Sequence, residues 1–233
     1  MTTVTTLFQA SQDPLEMTSL STQVYDRLRT ALMSGDLKPD QRLKIRELAA
    51  KMGTSETPVR EAIAQLSRDG AIEVKPRYFV RVRRLDLAEY LEIRDIRLNL
   101  EPLAAERALP HITSADIAEL TDAHRRLIEA ERRHDWQIAV QCNFEFHFGL
   151  YWRAPMPNLI SILEALWVRI GPLLSELYPD AHPTYAERHQ HENVLTALRT
   201  GDVYGLREAI RQDLIEGGRK LLRQIEATEN RRP

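Results

Sequence analysis

The chain has 233 residues, 43% of them hydrophobic and 28% charged, a net charge of −2 and a single cysteine, Cys142. That composition excludes large-scale disorder and an internal disulfide. With neither a basic, apolar leader at its start nor an apolar run of bilayer length, it fits a cytoplasmic protein with no membrane partner. The charge is unevenly spread: residues 18–84 hold 14 Lys/Arg against 8 Asp/Glu, whereas residues 85–233 hold 18 against 24. The basic stretch suits a phosphate-bearing partner.

In chain order, residues 1–17 are rich in Thr and Gln without periodicity and are expected to form a flexible tail. A helix is predicted over 21–34, burying Val24, Leu28, Ala31 and Leu32 and ended by Gly35. After the turn Lys38-Pro39-Asp40, the spacing of Ile45, Leu48 and Ala49 marks a short helix that Gly53 stops. Ser55 is placed to cap a second helix running to about residue 69, with Pro58 in its first turn. Val59, Ile63 and Leu66 form its inward stripe, and Glu56, Thr57, Arg60 and Arg68 face outward. Two short alternating stretches, 71–74 and 79–82, then read as a hairpin with Lys75, Pro76 and Arg77 at its tip. Two helices joined by a tight turn and followed by a basic hairpin make a winged DNA reader.

Beyond the connector Arg81-Val82-Arg83-Arg84 the pattern is helical: segments 86–109, 114–134, 135–152, 158–177, 184–199 and 202–227 are separated by prolines and Gly201. Ser114 and Asp202 are candidate caps. The expected fold is therefore mainly α: a winged helix-turn-helix over 18–84, then a six- to seven-helix bundle over 85–233.

The reader resembles the amino-terminal domain of the GntR family of bacterial transcription regulators. Val24-Tyr25-Asp26-Arg27-Leu28, Ser34-Gly35-Asp36-Leu37-Lys38-Pro39, Arg46-Glu47-Leu48-Ala49 and Thr57-Pro58-Val59-Arg60-Glu61-Ala62 stand in the family's order. Three departures stand out. Asp40 replaces a glycine, Glu56 replaces a basic residue at the start of the recognition helix, and the wing lacks its usual tip glycine. The resemblance implies that Arg46 and Arg60 contact DNA and that Ser55, Glu56 and Thr57 open the reading face. Arginine pairs best with guanine, whereas Glu56 would favour a cytosine amino group. Lys75 and Arg77 are placed for backbone or minor groove. The alternative for Arg60 is a salt bridge to Glu56 or Glu61.

The helical part resembles the FCD-type effector-binding domain of the FadR-like branch, through Arg97-Leu98-Asn99-Leu100-Glu101-Pro102-Leu103, Asn143-Phe144-Glu145-Phe146-His147 and His191-Glu192-Asn193-Val194-Leu195. In that branch many members hold a divalent metal through an acidic or amide residue, a histidine one turn later and two further histidines. Asn143 and His147 share a helix face. Both within the helix read over 184–199, His189 and His191 cannot both point inward, and His191 is chosen because it shares the stripe of Val194, Leu195 and Leu198. Asp213 stands where the third histidine is usual, on a stripe with Leu206 and Ile210. Asn143, His147, His191 and Asp213 form a donor set suited to zinc, nickel, manganese or iron. A metal-free polar cluster is the alternative. Arg97, on an apolar stripe, either receives an effector's carboxylate or phosphate or pairs with Glu101 or Asp213. Arg169 is a second candidate for that pocket.

These readings converge on a homodimeric regulator of a near-palindromic double-stranded DNA operator, answering to a small acidic metabolite at a metal site. A metal-sensing repressor would use the same residues. A metal-dependent enzyme is the rival from another class, but no general base accompanies the metal set.

Overall fold

The computed structural model describes residues 19–178 and 188–229, so the expected tail over 1–17 lies outside the described residues. The reader begins with α1 (Leu20–Met33), capped by the Ser19 hydroxyl, which accepts the Thr22 N–H. Next come α2 (Ile45–Met52) and α3 (Glu56–Arg68). Gly53 ends α2 with φ +67°, a left-handed conformation that costs glycine little. Val59, Ile63 and Leu66 of α3 are buried with Val24, Leu28 and Leu32 of α1, as the apolar spacing requires.

The wing is the antiparallel pair β1 (Ile72–Lys75) and β2 (Phe79–Val82), with Ile72 opposite Val82 and Lys75 opposite Phe79. Leu43 N–H donates to Val80 and Val82 N–H to Gln41, so the segment before α2 lines the free edge of β2. This covers a sheet edge that would otherwise be open to pairing.

The bundle comprises α4 (Leu87–Ala108), α5 (Ser114–Arg132), α6 (Trp136–Tyr151), α7 (Pro157–Leu174), α8 (Gln190–Thr200), α9 (Val203–Gly217) and α10 (Arg219–Glu229). Four boundaries differ from the sequence expectation. Thr113, not Ser114, caps α5, in a reciprocal box with Asp116. The segment read as one helix over 158–177 tightens to a 3₁₀ turn at Ser175–Leu177. Residues 184–187 lie outside the described residues, and α8 starts only at Gln190, with His189 as its cap. The last predicted helix is broken at Gly218, where a β-carbon would lie 2.8 Å from the Tyr90 hydroxyl oxygen.

Pro157–Leu177 does reach the length and mean hydropathy of a bilayer span, contrary to the sequence reading. Its apolar residues are consumed in the core: Leu163, Trp167, Ile170 and Leu173 are buried. The reader is seated on this helix. Arg29 of α1 meets Glu164 at 2.7 Å, and Arg84 grips Glu176 through two nitrogens at 2.7 and 2.9 Å.

Candidate functional site

Two regions carry the candidate residues. On the outer face of the reader, Arg46, Ser55, Thr57, Arg60, Lys75 and Arg77 are all exposed, and Glu56 is half-buried. Ser55 holds the cap position of α3, but its side chain makes no capping hydrogen bond. Arg60 donates to Glu56 at 2.6 Å, the salt bridge weighed as its alternative role. Asp40, where the family resemblance expects glycine, takes φ +63°, and Arg77, at the wing tip that lacks its usual glycine, takes φ +66°. Tyr78, which the sequence reading passed over, is 75% exposed at the wing tip beside Lys75.

The second region is buried. His147 of α6, His191 of α8 and Asp213 of α9 bring ligand atoms within 4.8 Å of one another. His147 Nε2 lies 3.2 Å from one Asp213 oxygen, and His191 Nε2 lies 3.4 Å from His147 Nε2 and 3.9 Å from the other Asp213 oxygen. Asn143, one turn before His147, lines a cavity of about 60 Å³ together with Tyr90, Arg94, Arg97, His147 and Asp213. That space suits an ion with a few waters or a very small acid rather than a bulky metabolite.

Hydrogen bonding fixes the state of His147. Glu101, fully buried, accepts from Arg97 Nε at 2.6 Å, Trp167 Nε1 at 2.7 Å and the Tyr151 hydroxyl at 2.8 Å. Because Tyr151 spends its proton on Glu101, its oxygen accepts from His147 Nδ1 at 3.2 Å. The proton of a neutral His147 is then on Nδ1, and its Nε2 lone pair faces the Asp213 carboxylate. Acceptor facing acceptor at this distance is repulsive, and a cation between them, a proton or a metal ion, resolves it.

Burial favours the neutral form of three of the surrounding imidazoles. Burial holds His191 well below the ordinary histidine range, pushes His189 down to about 4 and lowers His124. For Asp213, burial raises the carboxyl, but the hydrogen bond and charge that His147 offers when a proton fills the gap between them prevail, and the pKa is lowered.

Arg97 is buried over the Trp167 ring and paired with Glu101, and it also lines the cavity. Both roles considered for it therefore have a structural basis. Arg169 is elsewhere: it lies 3.7 Å from Glu89 and beside Gly70, at the junction of reader and bundle, and is not among the cavity-lining residues. Its place in the sequence next to Trp167 was a poor guide, because two residues along a helix turn the side chain to the far side.

His124 and His189 were missed. His124 follows Leu120 by four residues and precedes Leu127 by three, so its inward placement was readable from α5's apolar spacing. His189 was set aside on the assumption that it lay within a helix. As the cap it escapes that rotation, and its ring lies with those of His124 and His191 at centroid distances of 5.0 and 4.3 Å.

Comparison with known proteins accords with this layout. The model of "Bacterial regulatory proteins, gntR family" matches residues 20–82, and that of the "FCD domain" matches residues 92–216. The HTH-type transcriptional regulator McbR of Escherichia coli (strain K12) is 35% identical over 194 residues, covering 82% of this chain and 88% of that protein. The HTH-type transcriptional repressor GlaR of the same organism is 25% identical over 213 residues, covering 85% of this chain and 94% of that protein. The solved structure of E. coli McbR/YncC superposes with a TM-score of 0.81 at 34% identity, over 89% of this chain and 99% of that one.

Proposed function

The chain belongs to the gntR family of bacterial regulatory proteins, with an FCD domain behind its reader, and from that premise we propose that a small carboxylate, bound beside a divalent metal ion, controls its hold on DNA. It is a DNA-binding transcription regulator, and the remaining question is what it senses.

The observation that carries the reading is the convergence of His147 Nε2, His191 Nε2 and the Asp213 carboxylate from three helices, backed by the tautomer that Tyr151 and Glu101 favour. His147, His191, Asp213 and Asn143 would hold the ion, and the carboxylate–tyrosine–histidine relay would orient its ligand. A bound ion supplies positive charge to an acidic effector. Arg97 and Arg94 at the same cavity would take its remaining oxygens. The small cavity favours an effector of few atoms.

The reader would act as a homodimer, each copy placing α3 in the major groove of one half-site of a near-palindrome, with Arg60 and Thr57 toward base edges and Lys75 and Arg77 toward phosphate. The domain limits 18–84 and 85–233 describe this division of labour.

Manganese is the probe that tests the site, because its taste for oxygen ligands suits Asp213 and Asn143. Chelator-stripped protein should melt higher with manganese at 100 times its dissociation constant, by roughly 5–10 °C, the equivalent of about 2.7 kcal/mol in a chain of this size. The rise should vanish in both His147→Ala and Asp213→Ala. Small carboxylic acids should then weaken or strengthen DNA binding by the manganese-loaded protein only. A melting point indifferent to manganese would remove the ion from the mechanism, and release from DNA by manganese alone would make the ion itself the signal.

A further inference from the structure

His191 has two edges, and the site described above uses only one. Its Nε2 faces His147 and Asp213, while its Nδ1 is buried without a hydrogen-bond partner among the described residues. A metal-bound imidazole normally donates its second N–H to a carboxylate, carbonyl or water. Among the described residues no such acceptor meets it. The Nδ1 of His124 is in the same position, buried and unpartnered among the described residues. His124, His189 and His191 together bring three ring nitrogens within 4.8 Å of one another. The fully buried side chain that carries an orphaned nitrogen is thus one of a group of three imidazoles.

We propose that His124, His189 and His191 form a second metal site, separate from the His147–Asp213 pair, for a divalent ion that favours imidazole: zinc, nickel or copper. All three donors are uncharged and nitrogenous, which disfavours manganese and magnesium. Glu192, whose carboxylate lies 3.9 Å from His124 Nε2, supplies nearby negative charge. A neutral His191 has one lone pair, so it serves one ion at a time, and the two sites are alternatives for a single ion rather than a filled pair.

The site has a structural consequence at the start of α8. His189 Nδ1 now accepts the backbone N–H of His191 at 3.1 Å. Ligation through Nδ1 takes that lone pair, and ligation through Nε2 requires Nδ1 to carry the proton. Either way the cap is released when the ion binds, and the first turn of α8 loses a restraint.

The experiment is anomalous scattering at the zinc or nickel edge from crystals of the full chain soaked with that ion alone. A peak within bonding distance of His124 and His189 supports the proposal. A peak confined to His147 and Asp213, or no peak in the cluster, overturns it. In solution, Asp213→Ala should still bind about one zinc per chain by equilibrium dialysis, and adding His124→Ala should reduce that at least tenfold. Zinc lost with Asp213→Ala alone, in protein that keeps its helical circular dichroism, counts against it. Faster exchange of the His191 amide in zinc-loaded wild-type protein reports the released cap without any substitution. These readouts are independent of the manganese melt, so the two sites stand or fall separately.

Discussion

The carbonyl of Leu32, near the end of α1, packs directly on Gly171 of α7, where any β-carbon would overlap it and would lie 2.8 Å from Cα of Met33. Both obstacles are backbone, so neither can swing aside. The residue before Gly171 is Ile170, which lines the buried cavity, as does Leu174 one turn later. One helix thus carries the cavity wall and the seat of the reader on neighbouring positions. Gly171→Ala should destabilise the protein by about 1–3 kcal/mol, the usual cost of overpacking. A thermal melt checks this. Because Thr57 and Arg60 are exposed away from this contact, the folded variant should keep its affinity for a DNA duplex. An unchanged melting temperature would mean that the two parts do not dock as described.

Much of this arrangement was legible in the sequence. Apolar spacing located α1 to α3, Gly53 marked the turn, and the four-residue separation of Asn143 and His147 put both on the cavity side. What was not legible follows from local rules overruled by neighbours. His189 became a cap instead of a helical residue, so a rotation argument that was sound for helices misplaced it. The last helix breaks at Gly218, a position where Tyr90 leaves no room for a β-carbon. The partners of Glu101 come from α4, α6 and α7, at sequence separations of 4, 50 and 66 residues, which periodicity along one helix does not reveal.

The recognition helix holds its main arginine in check. Glu56 accepts from Arg60 at 2.6 Å on an exposed face, a pair worth little to stability. It still sets what Arg60 gives up on meeting a base. Arg60→Ala should cost about 1–3 kcal/mol of specific affinity and relax base preference at one position in each half-site. Glu56→Gln should strengthen binding to any duplex and steepen its dependence on salt. Fluorescence anisotropy with a selected operator and a scrambled duplex, at two salt concentrations, measures both effects.

Asp40 and Arg77 share a left-handed backbone but differ in their compensation. Asp40 is tied to Arg84 at 2.6 Å and Arg81 at 3.6 Å, so Asp40→Gly trades about 1 kcal/mol of backbone relief against exposed ion pairs of similar worth. Its melting temperature should barely move. Arg77, with no ion pair among the described residues, should behave otherwise. Arg77→Gly should raise stability by up to ~1 kcal/mol while weakening non-specific DNA binding and lowering the salt slope by about one unit. Opposite signs in the melt and the binding assay are the signature; a lower melting temperature would rule out strain at the wing tip.

Asp116 gives the bundle an acid-sensitive joint. Its carboxylate accepts from the Thr113 hydroxyl and backbone N–H and from Arg153, which together lower its pKa to about 2. A depressed carboxyl stabilises the folded chain above its unfolded pKa of about 4, and that contribution disappears as pH falls through the folded value. Asp116→Asn should therefore melt lower than wild type at neutral pH, with the gap closing between about pH 4 and pH 2. Paired melts across that range decide it: a gap that persists at the acid end would assign the loss to packing instead of charge.

Glu101 is the residue whose removal should cost most. It is fully buried and accepts from Arg97, Trp167 and Tyr151 at once. Taking away its charge leaves a buried guanidinium without its counter-ion, a defect worth about 3–5 kcal/mol. Glu101→Gln should therefore lower the melting temperature more than Arg60→Ala or Arg77→Gly. Replacing the pair together, Arg97→Met with Glu101→Gln, removes the orphaned charge and should recover part of the loss. The double variant also frees Tyr151 from a fixed acceptor, so the preference of His147 for a proton on Nδ1 weakens. Manganese stabilisation should fall in the double variant even where folding recovers. Recovery of both together would show that the Glu101 network serves packing alone.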